Sequence, residues 1–259
     1  MSRRPGKWRH VLVASGVVLT ALLLGGCIYL RLLVLKHQLA DFDRNFALTT
    51  QEGLRFTCLN PVLLSADLRW LGIVPEKTSR QGQNEQWHIH WVKEISSDTT
   101  APEPAAHDLE LEVDFTENKF TGFFVAERYF AFIPKPFFVG VLRGLGNARI
   151  DRENRSVNAV IASSNPHAGR RPTLAALVAL LGQPTERHQE GMVTRLRYRY
   201  LPPTPGTNNG DFDLLFTFDT AGELQRLEGR SPVGKIALSF TAPITAALPA
   251  STVSVSPAP

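Results

Sequence analysis

The chain has 259 residues, 28 basic against 24 acidic, two cysteines and 43% hydrophobic residues. That length accommodates one large domain or two small ones, and the composition excludes a collagen-like, disulfide-stapled or wholly disordered polypeptide. The charge excess is local: Arg3, Arg4, Lys7 and Arg9 precede any acid, so residues 27–259 hold 24 basic and 24 acidic side chains and are neutral. A neutral body without a basic stripe carrying stacking aromatics argues against nucleic acid as a partner.

The first thirty residues form an address. Residues 1–10 are basic and residues 11–24 are 14 positions without a charge, the layout of an export signal whose positive end stays in the cytoplasm. Leu24-Gly25-Gly26-Cys27 resembles the lipobox of bacterial lipoproteins. The resemblance implies cleavage before Cys27, with residues 1–26 removed, and lipid attachment at Cys27. The alternative is an uncleaved anchor. The apolar run continues to Leu30, and residues 11–30 are 20 positions, enough to cross a bilayer of about 30 Å as a helix. Either way the remaining chain is expected on the periplasmic side of a bacterial envelope membrane.

Ile28, Leu32, Leu35, Leu39, Phe42 and Phe46 recur at spacings of 4, 3, 4, 3 and 4, which predicts one apolar stripe on a helix over 27–46. Such a stripe serves either as an oligomerising seam or as the face of a helix folded back on its own domain. Fewer than three heptads favour the second.

The rest of the chain reads as one unit written twice, over 47–126 and 158–241. The first stretch carries LSADLRWLG ending at Gly72, then Pro75, WHIHW (87–91), LELEVDF (109–115), the turn ENK and FTGFFV. The second carries TLAALVALLG ending at Gly182, then Pro184, RLRYRY (195–200), DFDLLFTFD (211–219), the turn TAG and ELQRL. The first segment of each predicts a short helix, capped by Ser65 or Thr173 and stopped by glycine then proline. The alternating segments predict half-buried strands. Their inward residues are Trp87, Ile89, Trp91, Leu109, Leu111, Val113 and Phe115, then Leu196, Tyr198, Tyr200, Phe212, Leu214, Phe216 and Phe218. A short helix on a small antiparallel sheet is an α+β unit. In the second unit, Leu180-Leu181-Gly182-Gln183-Pro184, the strand at 196–200 and Phe216-Thr217-Phe218-Asp219-Thr220-Ala221-Gly222 look like the fold of small outer-membrane β-barrel-assembly lipoproteins, shared with β-lactamase inhibitor proteins. That resemblance implies a non-enzymatic clamp or scaffold.

Between the units, residues 127–157 hold Phe130, Phe132, Phe137, Phe138 and Leu142, with Pro134 and Pro136 predicting a helix that starts near Pro136 and ends at Gly144 or Gly146. This segment either binds a partner through those side chains or fills the seam between the sheets. Residues 242–259 are expected to be a disordered tail.

The most metal-like group is His88 and His90 with Glu110, and Glu112 beside them. The same positions in the second unit are Arg197 and Arg199 facing Asp211 and Asp213, so cross-strand charge pairing accounts for both sets, and no metal is expected. Gly229–Lys235 spells most of a phosphate loop, but Ile236 stands where Ser or Thr would hold magnesium, and a strand follows. Cys58 lies in an apolar strand and is expected to be a buried thiol. The expected fold is an anchored α+β protein with two tandem units. The expected role is binding of another envelope protein, with neither catalysis nor cofactor. A metal-dependent hydrolase on His88, His90 and Glu110, or an oligomerising spacer, are the alternatives.

Overall fold

The computed structural model describes residues 28–94, 105–151, 153–162, 171–202, 211–231 and 234–241. The expected export segment with Cys27 and the expected disordered tail from 242 lie outside the described residues. The chain forms a mixed α+β fold in which short helices pack against a 13-stranded sheet.

Helix α1 is Ile28–Ala40 and α2 is Phe42–Asn45. Strands β1 (Phe46–Thr49) and β2 (Gly53–Cys58) lead into helix α3 (Ser65–Trp70). Next come β3 (Lys77–Gln81), β4 (Asn84–Lys93), β5 (Leu109–Thr116) and β6 (Lys119–Ala126). Helix α4 (Lys135–Leu145) precedes β7 (Arg149–Asp151) and β8 (Ser156–Ala162). Helix α5 (Leu174–Leu181) is followed by β9 (Glu186–Glu190), β10 (Val193–Leu201), β11 (Phe212–Phe218), β12 (Leu224–Ser231) and β13 (Gly234–Thr241).

The sheet runs β1-β2-β6-β5-β4-β10-β11-β12-β13-β8-β7, with β3 on β4 and β9 on β10. Its two sides meet through a short antiparallel pairing, Lys93 opposite Tyr200 and Val92 opposite Leu201. Every pairing is antiparallel except that of β13 with β8, which is parallel from Lys235–Ser156 to Thr241–Ala162.

The period-2 pattern sets the faces. Trp87, Ile89, Val113 and Phe115 are buried with Leu63 and Leu68 under α3, and Leu32 and Leu35 of α1 pack against them. Leu196, Tyr198, Tyr200, Phe216 and Phe218 are buried with Leu177 and Leu181 of α5. A third cluster gathers Phe42, Phe46, Leu54, Phe56 and Cys58, closed by Leu39 and α4. The helix expected over 27–46 stops at Ala40 and Phe46 opens β1, while the stripe from Leu32 to Phe46 packs on its own domain. Leu32 and Leu35 serve the second cluster, Leu35 and Leu39 the third.

The aromatic segment, for which a partner surface and a seam filler were both open, packs its side chains into the clusters. Phe132 and Phe137 are buried, and Phe137 meets Phe240 at 5.1 Å between ring centroids. Its neighbour Phe138 points to the other side and meets Phe123 at 6.4 Å and Phe130 at 6.0 Å, while Leu142 packs on the same cluster. The prolines explain the placement. Pro134 and Pro136 start α4 beneath the sheet, where successive Phe137 and Phe138 rings enter two different cores. Phe130, Phe132, Phe137, Phe138 and Leu142 thus brace the seam.

Helix α3 is capped differently from the sequence expectation. Ser65 is its first residue, and Asp67 Oδ2 accepts a hydrogen bond from the Leu64 N–H at 2.8 Å. Thr173 does cap α5, its hydroxyl accepting from the Ala176 N–H at 3.3 Å. Gly146, which closes α4, lies so near α1 that a Cβ there would overlap backbone atoms of Leu39 and Ala40. Backbone cannot swing aside as a side chain does. Gly146→Ala is therefore expected to destabilise the protein by about 1–3 kcal/mol and to loosen α1 from α4, read as a lower urea midpoint.

Candidate functional site

Alternation that buries one set of side chains turns the next set outward. On β4 these are His88 and His90, on β10 Arg195, Arg197 and Arg199. Helices α1, α3, α4 and α5 pack through the apolar clusters on the other side of these strands. The outward face is a ladder of opposite charges. Arg55 pairs with Asp114 on the first side of the sheet. On the second, Arg199 bonds Asp211 at 3.2 Å, Arg197 approaches Asp213 at 3.4 Å and Arg226 bonds Glu228 at 3.0 Å. The strand register puts Arg199 opposite Asp213 and Arg197 opposite Leu215, so these pairs run diagonally. Exposed pairs of this kind contribute about 0.2–1 kcal/mol each and leave the face strongly hydrated.

Across β10 to β13 the face is concave. An open depression of about 410 Å³ is lined by Arg197, Asp213, Arg226, Glu228, Arg230 and Lys235, among others. The phosphate-loop look-alike falls here, in antiparallel strands: Gly229 is opposite Ile236 and Arg230 opposite Lys235. No helix N-terminus follows Lys235, since β13 does, so the backbone amides needed to cradle phosphate are committed to the sheet.

At the centre, where β4 meets β10, lies a denser polar cluster. His90 Nε2 is 3.0 Å from Asp108 Oδ2 and its Nδ1 is 3.4 Å from Glu76 Oε2, while His88 Nε2 lies 4.0 Å from Glu76. Asp108 also accepts a hydrogen bond from the Lys93 N–H at 2.8 Å. Lys93 and Asp108 are both buried, and the Lys93 ammonium sits 5.6 Å from the centre of the Tyr198 ring. Arg199 reaches back across the junction to Glu94 at 3.1 Å.

This arrangement corrects the metal-like trio. His88 and His90 do stand opposite Glu112 and Glu110 in the register, but Glu110 turns to Arg128 at 3.0 Å, and the acids that reach His90 are Glu76 and Asp108. Among the described residues no group of three or more His, Cys, Asp or Glu side chains could hold a metal ion. A general base needs a ring nitrogen aimed at its substrate. Both nitrogens of His90 face carboxylates of the same chain, so the ring ties β4 to the segments on either side of it. Removing that tie has a stated cost. Asp108→Ala leaves the Lys93 N–H buried without its acceptor, with an expected loss of about 1–3 kcal/mol by thermal or urea unfolding.

Cys58 is buried on β2, and burial pushes its thiol up to about 12. A thiol so placed stays protonated at neutral pH. Asp108 carries no signal in the sequence, and Glu76 carries only its place after Pro75, matched by Glu186 after Pro184 in the second unit.

No helix among the described residues is long and apolar enough to cross a membrane. Comparison with protein-family models, with curated proteins and with solved structures finds no match for this chain.

Proposed function

We propose that the chain is a membrane-anchored envelope protein, lipidated at Cys27 or held by residues 11–30, that works as a non-catalytic protein-binding or scaffold module. The observation that carries this reading is the long outer face of the sheet. Among the described residues it is rich in paired charges, and it is concave over β10 to β13. A partner protein fits such a face better than a small substrate does, because the pairs are spread over many strands and do not converge on one reacting point. The aromatic segment is spent on the seam, so the outer face and the strand edges at β1 and β7 replace it as the contact surface.

We further read the body as two tandem α+β units. Several hydrogen bonds support this by recurring in order. Ser65 N–H bonds Asn118 O as Leu174 N–H bonds Gly222 O, and Phe120 N–H bonds Leu63 O as Leu224 N–H bonds Pro172 O. Glu76 N–H bonds His88 O as Thr185 N–H bonds Arg197 O. The helices end at Gly72 and Gly182, both with positive φ, 81° and 69°. The second unit differs by β13, inserted between β12 and β8, where β6 pairs directly with β2 in the first.

The test is photo-crosslinking in intact membranes from the outer-face positions Glu112 and Arg226, against the buried Leu177. Discrete protein adducts from the first two and none from the third are expected. Absence of adducts from both outer positions in membrane-bound protein overturns the binding reading. Intact mass decides the anchor: loss of residues 1–26 with added acyl mass supports lipidation, and their retention removes it.

A further inference from the structure

We propose that the first two turns of α1, together with Trp70, form a lipid-contacting surface that lies in the headgroup layer of the membrane that anchors the chain ahead of α1. The inference rests on the anchored reading above and adds how the body sits on the bilayer. One face of α1, with Leu32, Leu35 and Leu39, is committed to the protein's own clusters. The other face begins apolar and ends polar. Tyr29 is 44% exposed, Leu30 58% and Val34 38%, and the exposed positions that follow are His37, Ala40, Asp41, Asp43 and Arg44. Trp70, from α3, is 46% exposed and meets the Tyr29 ring edge-on with centroids 5.7 Å apart.

The change falls at the right depth. At 1.5 Å per residue the apolar part from Tyr29 to Val34 spans about 7 Å along the axis. The headgroup layer on each side of the hydrocarbon core is about 5–8 Å thick. Tyr and Trp favour that layer because the ring is apolar and its N–H or O–H still reaches water. A gradient that follows the helix axis away from residue 27, and not a patch across several elements, fits a lipid surface better than a protein partner. Arg31 strengthens the geometry. It crosses to Asp67 with bonds of 2.7 and 2.6 Å, which fixes α1 against the very helix that carries Trp70.

The full chain is placed in phosphatidylcholine/phosphatidylglycerol vesicles with and without phosphatidylcholine brominated near the glycerol end of its acyl chains. The chain has four tryptophans, so the Trp70 signal is the difference between wild type and Trp70→Phe. In brominated vesicles that difference signal is expected to lose most of its intensity. The double variant Leu30→Asn/Val34→Asn, which alters only exposed positions, is expected to restore much of it. An unquenched Trp70 signal in protein that stays with the vesicles through an alkaline wash overturns the inference. So does a Trp70 signal shielded from acrylamide yet untouched by brominated lipid, which assigns the surface to a protein. Protein that leaves the vesicles in the wash overturns the anchor itself, and the inference with it.

Discussion

Trp87→Ala is expected to lower the stability by about 3–5 kcal/mol, the range for truncating a fully buried aromatic. Trp87 has no exposed surface and forms the floor of the cluster beneath α3. Its ring lies 4.4 Å from that of Phe115, carries the Arg69 guanidinium 4.5 Å above it, and donates its indole N–H to Glu85 at 2.6 Å. Truncation opens a cavity, leaves Glu85 with one donor fewer and removes the surface on which Leu32 and Leu35 of α1 rest. Urea unfolding followed by far-UV circular dichroism checks it, with an unchanged slope expected because the folded state stays compact. A loss under about 1 kcal/mol would place Trp87 outside the core and contradict the packing described here.

The second large effect concerns the clamp between α1 and α3. Asp67 is buried, with its side chain 4% exposed, and takes two bonds from Arg31, whose side chain is 31% exposed. Arg31→Met strands that carboxylate. A loss of about 2–4 kcal/mol is expected, somewhat below the full cost of breaking a buried pair because Arg31 is partly in water. Arg31→Met/Asp67→Asn removes both charges and keeps an oxygen for the Leu64 N–H, so it is expected to recover much of the loss. A double variant worse than the single would show that the lone Asp67 carboxylate is not stranded, and would overturn this account.

Acid gives the same clamp a second readout. Burial is the largest influence on Asp67 and works against ionisation. The hydrogen bonds from Arg31 and the Leu64 N–H, with the attraction of the Arg31 charge, outweigh it and hold the carboxyl below its ordinary value of 3.8. A group depressed on folding contributes its stability above the ordinary value and loses it as the pH falls through the lower, folded one. Stability is thus expected to drop below about pH 4, and Arg31→Met to lessen that drop. Thermal unfolding of both proteins between neutral pH and acid measures it.

Much of this fold is visible in the amino-acid pattern. WHIHW and RLRYRY alternate strictly, and His88, His90, Arg197 and Arg199 do face away from the core, because period-2 geometry leaves them nowhere else to go. The helix from Lys135 to Leu145 follows from Pro136 at one end and the glycines at the other. Three things are not legible. Nothing in a helical stripe aims Arg31 at a residue 36 positions away. Glu76 and Asp108 belong to no periodic segment, so the acids that hold His90 come from turns whose placement only the tertiary fold decides. The aromatic content of residues 130–142 favours a brace but leaves an exposed binding surface open. What decides it is that consecutive side chains on a helix diverge, so Phe137 and Phe138 serve different cores.

The parallel pairing of β8 with β13 sets an order of assembly. Lys235 pairs with Ser156 from roughly eighty residues further along the chain, and a contact of that span forms slowly because its loop must close first. Strand β7 joins β8 locally through Arg149–Asn158, so this hairpin forms as soon as it is made. The other flank of β8 stays open until the last strand arrives, with Ile161 and Ala159 waiting for Phe240 and Leu238. A chain shortened by one strand would keep its first sheet and most of its second, yet leave two open strand edges, on β8 and on β12. Strand β13 therefore does more than add one strand: by pairing with both β12 and β8 it covers two edges that would otherwise be open to a neighbouring chain.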